Sequence, residues 1–307
     1  MKLKIVSITV TYNGEKWIEG CLDSLLQSKI EVSPIVIDNA SQDGTVKIIR
    51  EKYPEIYLIQ NRQNSGFAQM NNLGMRYALS QGADYVLLLN QDARIDSRML
   101  DSMLNASSKH PQFGLLSPLH LDYEGQRIDP LFFNHIQDNV QLISDAFLRK
   151  TGQIYEVPFV NAAVWLLGRG IMEAVGGFDP LFFMYGEDSD FCRRARFLGF
   201  KVGIVPVALA YHKHLALGRG NSSIMNESNW IYSGLVYEFK NPANSFLWNL
   251  TRGIFAFVIG LERKLIVGDI RGFIAAFVSI LKIANKILHI RHHYNLCKVK
   301  GNHWLRS

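Results

Sequence analysis

The sequence predicts an α/β fold with a mostly parallel central sheet flanked by helices, followed by an amphipathic helical extension at the C-terminus. Three observations lead there. Over the first 120 residues, short runs rich in Val, Ile and Leu alternate with longer segments of helical period, the pattern of parallel strands joined by crossover helices. The 307 residues are 48% apolar and 20% charged, with 24 Gly and 9 Pro, which excludes disordered, collagen-like and coiled-coil chains and supplies a core without covalent staples. After Asn241-Pro242 the pattern changes to two amphipathic runs.

Strands are expected near residues 4–10, 33–37, 56–59, 84–89 and 114–117. Between the first two, Trp17, Ile18, Cys21, Leu22, Leu25 and Leu26 recur at helical spacing. A second helix is expected over 42–52 and a third over 66–79, where Phe67, Met70, Leu73, Tyr77 and Ala78 make one face. Residues 122–155 keep no sustained period and read as an irregular stretch with a loop over the sheet rim. A further helix is expected over 191–200, then a strand over 202–206 that leads into the apolar run 207–210. In the C-terminal part, Phe246, Leu250, Ile254, Phe257, Val258, Leu261 and Leu265 share one face of a helix. Ile270, Phe273, Ile274, Phe277, Ile280, Leu281 and Leu288 share a face of another. Neither apolar run reaches the ~20 residues of a membrane span. The sequence thus divides into a body of residues 1–240 and a helical region of residues 241–307.

Charge follows the same division. The chain carries a net +6, but residues 240–307 hold 11 Lys and Arg against Glu262 and Asp269, a net of +9, so the remainder is at −3. A basic amphipathic tail suits an anionic membrane surface; a helical hairpin packed on the body or on a second copy in a homodimer is the alternative. Cys21, Cys192 and Cys297 are far apart and match no metal or disulfide spacing, as in a reducing compartment. Residues 5–10 are too short and polar for an export signal. A cytoplasmic protein, peripheral at the inner face of the plasma membrane, is the expectation.

No GxGxxG, GxxxxGK[ST], HExxH or GxSxG motif occurs, which removes the simplest dinucleotide, P-loop, metalloprotease and α/β-hydrolase readings. What remains is polar chemistry at strand ends, where open parallel sheets bind ligands: Thr11-Tyr12-Asn13, Asp38-Asn39-Ala40-Ser41 and Asn90-Gln91-Asp92. Asp38 can accept hydrogen bonds from a base or ribose, or simply cap its turn. Asp92, delivered by the apolar run Val86-Leu87-Leu88-Leu89, suits one ligand of a hard cation such as Mg²⁺ or Mn²⁺, which otherwise takes substrate phosphates; a turn carboxylate is the plainer reading. Glu187-Asp188-Ser189-Asp190 opens a helix beside many aromatics. Acids favour a helix start, which accounts for Asp190, whereas the adjacent pair Glu187-Asp188 could hold a base of tuned pKa. His212 and His214 follow a strand and could meet a metal or phosphate, or be solvated.

In their order and spacing these residues resemble the family 2 glycosyltransferases, inverting enzymes of the nucleotide-sugar-binding GT-A fold, and especially their bacterial rhamnosyltransferase-like branch. The resemblance covers residues 4 to about 220. It rests on Val10-Thr11-Tyr12-Asn13, Val36-Ile37-Asp38-Asn39-Ala40-Ser41-Gln42-Asp43-Gly44-Thr45, Asn64-Ser65-Gly66-Phe67-Ala68 with Asn71-Asn72, and Leu89-Asn90-Gln91-Asp92. It continues through Gly176-Gly177-Phe178-Asp179, Phe183, Glu187-Asp188-Ser189-Asp190-Phe191, Arg194 and His212. It implies that Thr11, Tyr12, Asn13, Asp38 and Asn39 hold the donor's base and ribose. Gly66, Phe67, Asn71, Asn90 and Gln91 would line the nucleotide-sugar pocket. Asp92 matches the last acid of the DxD motif, the metal ligand, and Asn90 stands where the first acid would be, a shortfall that His212 would share. The catalytic base falls on Asp188, with Glu187 as the alternative. The implied reaction moves a sugar from a dTDP- or UDP-linked donor to a hydroxyl of a glycan or lipid-linked saccharide, in cell-surface polysaccharide synthesis. A non-catalytic nucleotide-sugar-binding protein or membrane-surface adaptor is the competing class; no motif supports nucleic acid as a partner.

Overall fold

The computed structural model describes residues 3–213 and 224–306, so His214 lies outside the described residues. Strands β1 (Ile5–Thr11), β2 (Ser33–Asp38), β3 (Tyr57–Gln60) and β4 (Tyr85–Leu89) are parallel and joined by helices α1 (Ile18–Leu26), α2 (Thr45–Lys52) and α3 (Phe67–Ser80). The chain steps outward from β1 through β2 to β3, and then returns to place β4 on the other side of β1. That reversal creates a switch point between β1 and β4, the place at which open parallel sheets bind ligands.

After β4 come β5 (Ala93–Ile95), α4 (Met99–Lys109) and β6 (Phe113–Asp122). Later elements are α5 (Pro130–Ile136), α6 (Val140–Phe147), β7 (Tyr155–Glu156), β8 (Val164–Gly168), α7 (Arg169–Val175), α8 (Glu187–Phe197) and β9 (Lys201–His212). The sheet order is β3-β2-β1-β4-β8-β6-β9-β5, with β7 on β9. Strand β8 is antiparallel to both β4 and β6, whereas β6 and β9 are parallel. The carboxyl ends of β1, β2, β4, β6 and β9 and the amino end of β8 therefore share one rim. Side-chain alternation packs both faces: Val86 and Leu88 join Ile8, Trp165 and α3, α7 and α8 on one side, while Leu87 and Leu89 join Val164, Leu166 and α1 and α4 on the other.

The stretch expected to be irregular is more ordered than its sequence suggests. Strand β6 continues to Asp122, and two short helices follow. Asp129 starts α5 by accepting from the N–H groups of Leu131 (2.8 Å) and Phe132 (2.9 Å), with Pro130 at the first helical position, and Asn139 starts α6 through the Leu142 N–H (3.0 Å). Helices of seven and eight residues are too short to establish a period, so only their caps betray them.

The C-terminal part forms α9 (Ile224–Phe239), α10 (Phe246–Ile266) and α11 (Ile270–Leu296). Contrary to the expectation from the sequence, one helix among the described residues, α11, is long and apolar enough to cross a membrane by length and composition, with mean hydropathy 1.7 over an 18-residue window. Lys282 lies within this helix, and its ammonium is drawn aside to Asn229 Oδ1 (2.9 Å). The faces are also reversed in part. On α11 the small residues Ala275, Ala276 and Ser279 are buried, with Ser279 Oγ donating to the Ser228 carbonyl (2.8 Å), while the expected apolar face of Ile270, Ile274, Phe277, Leu281 and Leu288 is exposed. On α10, Phe246, Leu250 and Phe257 pack inward, but Ile254, Val258 and Leu265 are exposed. Small side chains allow close helix approach, so the bulky stripe is left outside. The chain end then returns to the body: the Gly177 N–H donates to the His303 carbonyl (2.9 Å), and Leu305 lies in the main core.

Candidate active site

At the switch point, side-chain clamps tie together the loops leaving β1, β2 and β4. Gln91 Oε1 accepts from Thr11 Oγ1 (2.6 Å) and the Tyr12 N–H (3.0 Å), and its amide donates to the Tyr12 carbonyl (3.2 Å). Asn13, at φ 49°, accepts from the Gln42 N–H (2.8 Å) while its own N–H donates to Ser41 Oγ (2.9 Å). Asp38 is buried, and both its oxygens take the Ser41 N–H at 3.3 Å, the turn-capping arrangement. Tyr12 is exposed, and so it is the β1-end side chain best placed to meet a ligand.

A second layer joins this rim to the later motifs. The buried Asn39 amide is used within the protein: its Oδ1 accepts from the Ser65 N–H (2.9 Å) and its Nδ2 donates to Asn64 Oδ1 (2.9 Å), which holds the loop before α3. Gly66 has φ +82°, and a Cβ there would lie 2.3 Å from the Phe183 carbonyl oxygen, so glycine is required twice over. The Phe67 N–H donates to that carbonyl (3.1 Å), and Asn71 Nδ2 donates to the Phe67 carbonyl (3.0 Å). Asn72, unassigned by the sequence reading, clamps the Phe178 backbone from both sides (2.7 and 2.8 Å). The start of α3 is thus tied to the segment that leads into Glu187 and Asp188.

The acids expected to work together come to the same rim. The Asn90 N–H donates to the Ala163 carbonyl (2.8 Å), and the neighbouring Ala162 N–H reaches the Asp188 carboxylate. The turn that carries Asp92 and the carboxylate of Asp188 thereby both meet the backbone at the entry to β8. Asp188 is half-buried, and its Oδ1 accepts from the Ser189 N–H at 2.7 Å. Crowding by the protein pushes its carboxyl up to about 6, an effect only partly offset by the Ser189 and Ala162 N–H groups. Glu187 is 6% exposed, with Oε2 buried and lacking a hydrogen-bond partner. Burial first, and the Asp188 charge second, push it up to about 8, so near neutrality the pair is one carboxylate and one protonated acid.

Below the pair lies a charge network. Asp190 meets Arg194 Nε (2.8 Å) and Lys240 Nζ (2.9 Å). Lys240 also pairs with Asp179, whose Oδ1 is 2.7 Å from His293 Nδ1. Lys240 and His293 were not singled out by the sequence reading, since a lone Lys after an apolar helix gives no signal of burial. Trp165, Phe178 and Phe191 pack at 5.6–5.7 Å between ring centroids and support α8 from the core side.

Asp92, 18% exposed, faces His212, 6% exposed, with Oδ1 and Nε2 3.5 Å apart. Lys213 N–H donates to the Asp92 carbonyl (3.0 Å) and fixes the turn. No group of three or more His, Cys, Asp or Glu able to hold a metal occurs among the described residues. One carboxylate and one imidazole do not make a closed metal site, but they fit a hard dication that takes its remaining ligands from a bound diphosphate and water.

The family model described as Glycosyl transferase family 2 matches residues 7–161, the segment that holds β1 to the entry of β8. The chain belongs to that family. It is a glycosyltransferase, and its fold is GT-A. Over 245 residues it is 26% identical to the N-acetylglucosaminyl-diphospho-decaprenol L-rhamnosyltransferase of Mycobacterium tuberculosis, covering 70% of this chain and 78% of that one. Over 254 residues it is 25% identical to the dTDP-rhamnosyl transferase RfbF of Shigella flexneri, covering 80% of each. Among solved structures, the Pyrobaculum calidifontis mannosyltransferase PcManGT in complex with GDP-Man and Mn²⁺ aligns at TM-score 0.56 and 18% identity, covering 99% of this chain and 85% of that one. S. aureus TarS with UDP-GlcNAc aligns at 0.59 and 16% identity, covering 89% and 79%.

Proposed function

We propose that the enzyme transfers a deoxyhexose, rhamnose, from its dTDP-linked donor to a hydroxyl of a lipid-linked saccharide, with inversion, in the synthesis of a cell-surface polysaccharide. The observation that carries this reading is that the two loops meet at the entry to β8: the N–H of Asn90, two residues before Asp92, donates to the Ala163 carbonyl, and the Ala162 N–H reaches the Asp188 carboxylate. The names of the two rhamnosyltransferase relatives support the donor, and that of the mycobacterial one supports the acceptor class.

In this reading Asp188 accepts the proton of an acceptor hydroxyl. The hydroxyl oxygen forms its bond to the anomeric carbon as the bond to the nucleoside diphosphate breaks on the opposite face, and the electron pair leaves with the diphosphate. Glu187, protonated, holds its place beside Asp188 without adding charge. Tyr12, Asn13, Asp38, Asn39, Gly66, Phe67 and Asn71 shape the nucleotide side, and Thr11, Asn90 and Gln91 fix the loops that carry it. A divalent cation bound by Asp92 and His212 would offset the negative charge of the leaving diphosphate. The exposed stripes of α10 and α11, together with the net +9 of residues 240–307, support a peripheral position on an anionic membrane, at the cytoplasmic face where nucleotide sugars are made.

A thermal-shift screen of nucleotide sugars with and without Mn²⁺ or Mg²⁺ tests the donor. At a hundredfold Kd a native-state ligand adds about 2.7 kcal/mol, a shift of several degrees in Tm. dTDP-rhamnose should give the largest metal-dependent rise. Equal response to all nucleotide sugars, or to none, would count against the assignment.

A further inference from the structure

On the side of the catalytic segment facing α11 lies a cavity of about 310 Å³ lined by Pro180, Leu181, Asn285, Lys286, His289 and His293. Its floor is the buried His293 ring, held by Asp179. The carboxylates behind that floor, Asp179 and Asp190, are balanced by Lys240 and Arg194, so the character of the cavity is set by the residues that line it. Lys286 and His289 stand exposed at the mouth beside the Asn285 amide. The Lys286 ammonium is 5.7 Å from the Tyr232 ring centroid and, among the described residues, enters no ion pair. Lys282, one turn earlier, is held by Asn229 and Ser228, while the acids at the start of α9 and α11, Glu227 and Asp269, are both paired with Lys264.

The same helix supplies an apolar track. Leu281 and Leu288 lie about one turn to either side of Asn285 and are 50% and 79% exposed, continuing the stripe of Phe277, Ile274 and Ile270. A cationic cavity beside an exposed apolar stripe is complementary to one kind of molecule, an anionic headgroup on an apolar tail.

We propose that this cavity binds the phosphate or diphosphate headgroup of the lipid-linked acceptor, with Lys286 and His289 against the headgroup and the tail along Leu281 and Leu288. The proposal rests on the lipid-linked-acceptor reading and adds the place of attachment. A multiply charged headgroup matches several convergent donors better than a single phosphodiester does. Leu181 also begins the segment that ends in Glu187-Asp188, within about 25 Å even if fully extended, so a saccharide bridging the two stays short.

The full chain is titrated by calorimetry with farnesyl diphosphate below its micellar concentration, with inorganic diphosphate, and with phosphatidylglycerol vesicles. Parent, Lys286→Gln, His289→Gln and the distant Lys300→Gln are compared. Farnesyl diphosphate should bind saturably; Lys286→Gln and His289→Gln should each weaken it about tenfold, and Lys300→Gln should leave it unchanged. Inorganic diphosphate should bind more weakly with the same dependence on the two cavity residues. Equal affinity in parent and Lys286→Gln, or an equal loss in Lys300→Gln, would overturn the site in favour of diffuse surface charge. Cavity-dependent binding of phosphatidylglycerol with no farnesyl diphosphate binding would overturn the acceptor assignment. Nucleotide-sugar thermal shifts on the same samples separate the two readings: a normal donor shift with a flat farnesyl diphosphate titration refutes the headgroup site alone, and no donor shift beside tight headgroup binding refutes the donor assignment alone.

Discussion

Replacing Lys240 with Met probes the network that holds α8 to the C-terminal region. The side chain is fully buried, and its ammonium joins Asp179 and Asp190 while His293 and Arg194 hold the far side of each. Methionine keeps much of the aliphatic length and removes the charge, leaving buried Asp179 with His293 and buried Asp190 with Arg194 and the more distant Arg193. Breaking a buried pair costs about 3–5 kcal/mol; the remaining partners put the expected loss near the lower end, about 3 kcal/mol, or some 6–12 °C in Tm for a chain of this size. The sign with pH follows from the carboxylates. Burial alone would raise both, but Lys240, with His293 or Arg194, outweighs it and holds them below the ordinary 3.8. Their stabilising contribution is therefore present above that value and lost as pH falls through the lowered native values, so the deficit of the variant should be full at pH 7 and narrow below about pH 4. Urea unfolding at pH 7 and at pH 3.5 measures both. A loss under about 1 kcal/mol at pH 7, or a deficit that widens in acid, would refute the reasoning.

Three further expectations concern the site itself. Asp188 must be ionised to accept a proton, so kcat/KM should fall as pH drops through about 6; Glu187→Gln should leave that limb in place. Glu187, raised from 4.5 to about 8, contributes stability that is complete below its ordinary value and lost as pH rises through 8; Glu187→Gln should therefore gain on the parent by up to a few kcal/mol between pH 5 and pH 9 in urea unfolding, at about 1.4 kcal/mol per unit. Gly66→Ala, which combines φ +82° with a clash on the Phe183 carbonyl, should lose about 2 kcal/mol or more and raise the donor KM, as read by unfolding and steady-state kinetics; parent-like values for both would show that the contact between α3 and the catalytic segment is dispensable.

The rim of the site was legible in the sequence because strand ends are marked twice, by an apolar run that stops and by Asn, Asp or Ser that follows. Thr11, Asp38 and Asn90 each sit within a residue of a strand end for that reason. What escaped was either short or relational. Strand β8 reads as another apolar run, and nothing within Val164–Gly168 tells that it enters the sheet antiparallel. The clamp from Asn72 to Phe178 spans 106 residues, and the pairing of Lys240 with Asp190 spans 50, so neither leaves a local pattern. On α11 the period was right and the side was not: a stripe of bulky apolar residues and a row of small ones have the same repeat, and close packing on α9 selected the small row.

The central claim is that Asp188 takes the acceptor's proton while other residues bind the donor. Rapid-quench turnover of Asp188→Asn, paired with calorimetric donor affinity on the same protein, tests it most directly. The account predicts turnover lower by about 10² to 10⁴ with donor affinity within threefold of the parent; parent-like turnover, or a loss matched by an equal loss of donor affinity, would contradict it.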